Sequence, residues 1–149
     1  MLKVTRSKAE RGQSLVEVAL TFPILLLILS GMIDLGRLYF TYVALEDVVG
    51  EAALYLSINP GCRYETDGVG NECKNPNNAY YRAKTAAGWE VDWDKVTLVL
   101  ESPTIHGVGE PVKASLRYRF LLMTPLFPKT NGMNQMQLST LATQIIVSE

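Results

Sequence analysis

Histidine and cysteine are scarce in this chain. One histidine, His106, and two cysteines, Cys62 and Cys73, occur among 149 residues. A structural zinc site takes four ligands from cysteine and histidine, commonly in closely spaced pairs. Here the cysteines stand apart and the histidine lies far along the chain, so no metal is called for. An excess of charge of one sign is also missing. Lys+Arg number 14 and Asp+Glu 15, for a formal net charge of −1, which implies no broad basic field for nucleic acid. No HExxH, phosphate-binding loop, dinucleotide fingerprint or nucleophile elbow can be found. His106 stands in a glycine-rich stretch with Glu110 as its one nearby carboxylate, and it reads as a loop residue rather than a general base. These absences point away from an enzyme and from any cofactor. Repeats and low-complexity tracts are missing as well, and the length suits one modest domain plus an anchor.

What the chain does have is a long apolar run. Within Val18–Ile33 only Thr21 and Ser30 carry polar side chains. A membrane-spanning helix needs about 17–25 mostly apolar residues. The run reaches that length once Leu15 and Val16 are counted, with Glu17 near one edge, so residues 15–33 are expected to lie in the lipid bilayer. A carboxylate there costs about 2.5–3.5 kcal/mol at mid-membrane and less near the interface. Pro23 has no N–H to give to the carbonyl of Ala19, and a helix kink is expected there. The alternative, a buried soluble helix, suits the flanks less well. Lys3, Arg6, Lys8 and Arg11 precede the run against Glu10, whereas Asp34, Arg37, Glu46, Asp47 and Glu51 follow it. This lysine and arginine bias keeps the N-terminus inside. The expected product is a single-pass protein of the cytoplasmic membrane with its C-terminal domain outside.

An ordinary signal peptide would end in a small-x-small cleavage site after the apolar core. Leu29-Ser30-Gly31 is a poor version of one, and a lipoprotein site would need cysteine where Met32 stands. The better processing site lies before the run, at Gly12, where cutting removes the basic leader (1–12) and keeps the helix.

The stretch Arg11-Gly12-Gln13-Ser14-Leu15-Val16-Glu17-Val18-Ala19-Leu20-Thr21-Phe22-Pro23, with Asp34-Leu35-Gly36-Arg37 after the run, resembles the TadE-like family, pseudopilins or minor pilins of the Tad/Flp tight-adherence pilus. The resemblance covers about the first third of the chain and departs from the family's usual phenylalanine at Val18. It implies type IV pilin-like processing: a prepilin peptidase would cut between Gly12 and Gln13, leaving Glu17 fifth in the mature chain. It also implies that Glu17 pairs with the new amine of a neighbouring subunit. The implied partners are the bilayer, the peptidase, other pilins or pseudopilins and the pilus machinery. Two other functions remain open, a major pilin of the filament shaft and a membrane-tethered binding module that never assembles.

Past Ile33 the helix is expected to continue to Ser57. Leu35, Leu38, Tyr42, Leu45, Val49, Ala52 and Leu56 recur at spacings of three and four, with Asp34, Arg37, Thr41 and Glu51 assigned to other faces. Such a seam packs against the protein's own sheet or against neighbouring helices. Asn59-Pro60-Gly61 ends the helix. If the following region lies outside the cytoplasm, Cys62 and Cys73 should form a disulfide. Asp67, Asn71 and Glu72 between them do not match an EF-hand spacing, and the loop reads as a solvated turn.

Asn77 or Asn78 can cap a short helix through about Ala87, with Tyr80, Ala83 and Ala87 on one face. Trp89 and Trp93 are packing residues or lie near the membrane interface. Val96–Glu101, Val112–Phe120 and Met136–Val147 read as three strands, the second with Lys113, Arg117 and Arg119 on a solvent face. Thr124-Pro125-Leu126-Phe127-Pro128 reads as an apolar lid. The expected class is α+β: a long N-terminal transmembrane and amphipathic helix (13–57) packed on a small antiparallel sheet within a 58–149 extracytoplasmic part, a pilin-like plan.

Overall fold

The computed structural model describes residues 8–105, 107–124 and 134–147. His106 and the proposed lid beyond Thr124 lie outside the described residues, as do residues 1–7. Helix α1 runs from Lys8 to Ile58, 51 residues, or about 76 Å at ~1.5 Å per residue. It therefore extends back across Gly12 instead of beginning at Gln13. Lys8-Ala9-Glu10-Arg11 are good helix formers, and one glycine costs about 1 kcal/mol, which does not interrupt a long helix. Pro23 lies inside α1.

Helix α2 covers Ala79–Ala86, and Asn78 caps it by accepting from the Tyr81 amide at 2.7 Å. Strands β1 (Val96–Glu101), β2 (Pro111–Leu121) and β3 (Gln135–Ile145) form an antiparallel meander in the order β1-β2-β3. Leu98 pairs with Leu116 across the first ladder, and Leu116 with Thr140 across the second. A three-stranded sheet needs a helix over its apolar face, and the second half of α1 supplies it by packing on β2 and β3. Burial alternates cleanly along β2: Val112, Ala114, Leu116, Tyr118 and Phe120 are buried. On the opposite face Lys113, Arg117 and Arg119 are exposed. Strand β3 turns Leu138 and Thr140 inward and Leu141 outward.

The core joins Leu45, Val48, Ala52 and Leu56 of α1 to Ala79 and Ala83 of α2, to the inward row of β2 and to Ile146. The seam read from the sequence is right at Leu45, Val49, Ala52 and Leu56 and nearly so at half-buried Leu38, but it is misplaced at Leu35 and Tyr42, which are exposed. The buried stripe instead runs through Asp34 and Thr41, which the sequence reading had put on other faces. Asp34 finds its donors in the Met123 and Thr124 amides past the end of β2, so position on the helix and not polarity decided its burial. Tyr80 likewise leaves the α2 core face to Ala79, Ala83 and Ala87. Its hydroxyl instead accepts from Trp93 Nε1 at 2.8 Å.

Candidate assembly site

The first half of α1 is bare. Leu15, Val16, Val18, Leu20, Phe22, Ile24, Leu25, Ile28, Met32 and Ile33 are all exposed, and among the described residues nothing beyond the helix's own turn lies within 4 Å of a side-chain carbon built on Gly12. At its start, the Gln13 side-chain amide donates to Glu17 Oε1 at 3.4 Å, one turn along. Thr21 Oγ1 donates to the Glu17 carbonyl at 2.9 Å. Glu17 thus has only a weak local donor among the described residues, and its carboxylate stands on an open surface. The helix brings Gly12, Gln13 and Glu17 into one and a half turns; the predicted cleavage position and the predicted assembly carboxylate are neighbours in space. Pro23 sits farther along the same bare segment.

The junction between the bare and covered halves is built on Asp34. Its carboxylate accepts from the Met123 amide at 3.0 Å and the Thr124 amide at 2.7 Å, and the Thr124 hydroxyl also donates to it. Arg37 pairs with it at 3.4 Å. Burial pushes the Asp34 carboxyl up. The Thr124 hydroxyl, the Met123 and Thr124 amides and the Arg37 charge outweigh that, holding it below the ordinary carboxylate range. One side chain therefore ties the end of β2 to the helix, one residue beyond the apolar run. Sequence reasoning missed this latch. Its signal was the spacing of Asp34, Leu38, Thr41 and Leu45, which repeat at four, three and four.

At the far end of α1, Cys62 and Cys73 form a disulfide with Cα atoms 5.1 Å apart. Gly68 makes this possible: its φ is +80°, and a Cβ there would sit 2.6 Å from Cys73 Sγ. Asp67, in the loop between the cysteines, has its Oδ2 taken up by the Arg63 amide at 3.1 Å, the Tyr64 amide at 3.2 Å and Arg63 Nε at 3.0 Å. Among the described residues no three His, Cys, Asp or Glu side chains gather as a metal site would require.

A helix of this length, bare over an apolar run and carrying a carboxylate at its head, is the element that family comparison picks out. Residues 12–54 match the model of the TadE-like protein family. The match begins at Gly12, takes in Glu17, Asp34 and most of the covered half of α1, and ends before the disulfide loop and the sheet. No curated protein and no solved structure matches the chain. The TadE-like stretch thus lies where the sequence resemblance was read. Among the described residues α1 is the one helix long and apolar enough to cross a membrane. Joined to the TadE-like match, that helix fits a single-pass membrane protein associated with the Tad pilus.

Proposed function

We propose that the chain is a pseudopilin or minor pilin that takes part in assembling a Tad/Flp pilus. Residues 15–33 anchor it in the cytoplasmic membrane, with the N-terminus inside and the disulfide-bonded α+β part outside. A prepilin peptidase cuts after Gly12, and Glu17 of the mature chain pairs with the new Gln13 amine of a neighbouring subunit. The observation that carries this reading is the exposure of most of the apolar run in a chain whose TadE-like match starts at Gly12. A surface so apolar demands either lipid or other helices around it, and a pilus subunit meets both in turn, first in the membrane and then in the filament. TadE-like pilus proteins are structural, and the site assembled on α1 is a surface for packing and ion pairing rather than for turnover.

Intact mass of protein recovered from cells that contain a prepilin peptidase tests the reading. The expected chain begins at Gln13. A chain that keeps its first twelve residues beside an active peptidase removes the processing step and, with it, the assembly role of Glu17. Scarcity in sheared filaments then separates a minor subunit from a shaft subunit.

A further inference from the structure

The sheet reaches down to the apolar run. Asp34, the first residue past Ile33, holds the Met123 amide, so the end of β2 is fixed at the level where the run stops. Leu122 and Met136 wall one side of a groove of about 470 Å³ that straddles this level, its α1 side running from Leu27 and Ile28 to Leu35 and Leu38. Leu27 lies six residues before Ile33, about 9 Å along the helix axis. The run from Leu15 to Ile33 spans about 28 Å, close to the ~30 Å thickness of the hydrocarbon layer. It therefore cannot slide far out of the bilayer to lift the groove clear of it.

The side chains at this level suit a membrane interface. Met123 is 69% exposed although its backbone is pinned to Asp34. Trp89 is 91% exposed, and the next residue, Glu90, lines a cleft with Arg37 and Met123. Tyr39 and Phe40, 65% and 67% exposed, come about one and a half turns after Asp34 on α1. Amphipathic aromatics and thioethers left bare in water would be an odd surface for a free domain. Trp and Tyr are enriched where hydrocarbon meets headgroups, and a half-exposed arginine such as Arg37 can meet a lipid phosphate while its stem stays in apolar surroundings.

We propose that the membrane-proximal rim of the α+β part, with Met123 and Trp89 at its edge, docks into the headgroup layer of the bilayer that α1 crosses. The occupant of the groove beside Leu27 is a phospholipid acyl chain. The domain is thus seated on the membrane instead of swinging freely above it, and leaving the membrane for a filament requires this rim to be replaced by protein. The inference rests on the reading that residues 15–33 span the bilayer.

Single-tryptophan reporters in the full chain test it. They are placed in bilayers of phosphatidylethanolamine and phosphatidylglycerol, with or without dibrominated acyl chains, which quench indoles that reach the lipid. The reporters are Trp89 itself in a Trp93→Phe background, and Met123→Trp, Phe22→Trp and Val69→Trp in a Trp89→Phe, Trp93→Phe background. Val69 is 84% exposed in the disulfide loop at the far end of the helix and sets the level for a residue in water. An intact disulfide in each variant verifies the fold. The expected order is strongest quenching at Phe22→Trp, then Met123→Trp and Trp89 several-fold above Val69→Trp. If Phe22→Trp is quenched but Met123→Trp or Trp89 matches Val69→Trp, the docking is overturned and the span stands. If Phe22→Trp is not quenched, the span and the docking both fall.

Discussion

The two halves of α1 are one unbroken helix with opposite relations to the rest of the chain. Between Gly12 and Ile33 most large side chains are exposed, whereas Leu45, Val48, Ala52, Ala53 and Leu56 in the second half have no accessible surface. The first half is apolar on all sides. The second carries Glu46, Asp47 and Glu51 away from a stripe of aliphatic residues. An all-round apolar helix has no preferred side to give to a sheet, and an amphipathic one has a single such side. What the chain itself can bury is therefore set by how apolar residues are distributed around the helix, not by how many there are. The residues richest in hydrophobicity are the ones the rest of the chain leaves exposed.

Paired truncations should sharpen that contrast most. Leu56→Ala removes a fully buried side chain between helix and sheet and is expected to cost about 4 kcal/mol of domain stability through lost burial and a cavity. Leu25→Ala, made where the side chain is 53% exposed, should leave the same unfolding curve in place. Denaturant titration of the detergent-solubilised protein, followed by near-ultraviolet circular dichroism, measures both. Equal losses would mean that the first half also folds against the domain.

The next effect comes from the far end. Replacing Cys62 and Cys73 together by serine opens a short loop that caps the covered half. A loop of this size is worth about 3 kcal/mol in the chain-entropy model, and the same titration should show a loss of that order. Alkylation of the parent without reductant should label neither cysteine.

Asp34 stands at the boundary, and its removal should weaken the link between the halves. Asp34→Ala leaves two backbone amides and the Thr124 hydroxyl without their acceptor, at a cost of about 2 kcal/mol. The pH dependence has a definite sign. The Asp34 carboxyl titrates lower in the folded protein than its usual 3.8. Its contribution is thus fully present above the unfolded value and is lost as pH falls through the folded one. At pH 7 the parent should be the more stable of the two; acidification below about 4 should close the gap. A gap that persists unchanged into strong acid would show that the carboxylate charge does not make the latch.

Much of this architecture could be read from residue order. The apolar run, the helix stop at Asn59-Pro60-Gly61, the cap at Asn78 and the alternation along β2 each follow from a local rule, and each lies within a residue or two of where it was expected. The disulfide followed from orientation. The latch was less legible because it joins residues 89 and 90 positions apart. A carboxylate directly after an apolar run reads as a solvated end until the sheet supplies its donors. The register of the buried stripe failed for the same reason: Leu35 and Tyr42 look better suited to a core than Asp34 and Thr41, and only the sheet's position reverses that order. The exposed Trp89 could not be assigned from sequence, since an indole serves equally well in a core or at an interface.

The smallest effect on folding is expected at Glu17, and it separates the halves by function. Its carboxylate is exposed and among the described residues meets only the Gln13 amide, at 3.4 Å, so Glu17→Ala should leave domain stability and the disulfide unchanged. A carboxylate at the edge of an apolar segment costs insertion energy without any gain visible within the chain. If a neighbouring subunit's Gln13 amine supplies the partner, the pair forms in a medium of lower dielectric than water, where attraction is stronger although desolvation offsets part of it. The variant should insert, be cut after Gly12 and then fail to co-purify with pilus components. N-terminal sequencing must accompany the co-purification, because a variant that is not cut lacks the amine and would fail for a different reason. A cut Glu17→Ala chain that enters the assembly as well as the parent would reduce Glu17 to a side chain that merely reaches for the headgroups, and would leave the packing of the bare helical surface as what holds the subunit in place.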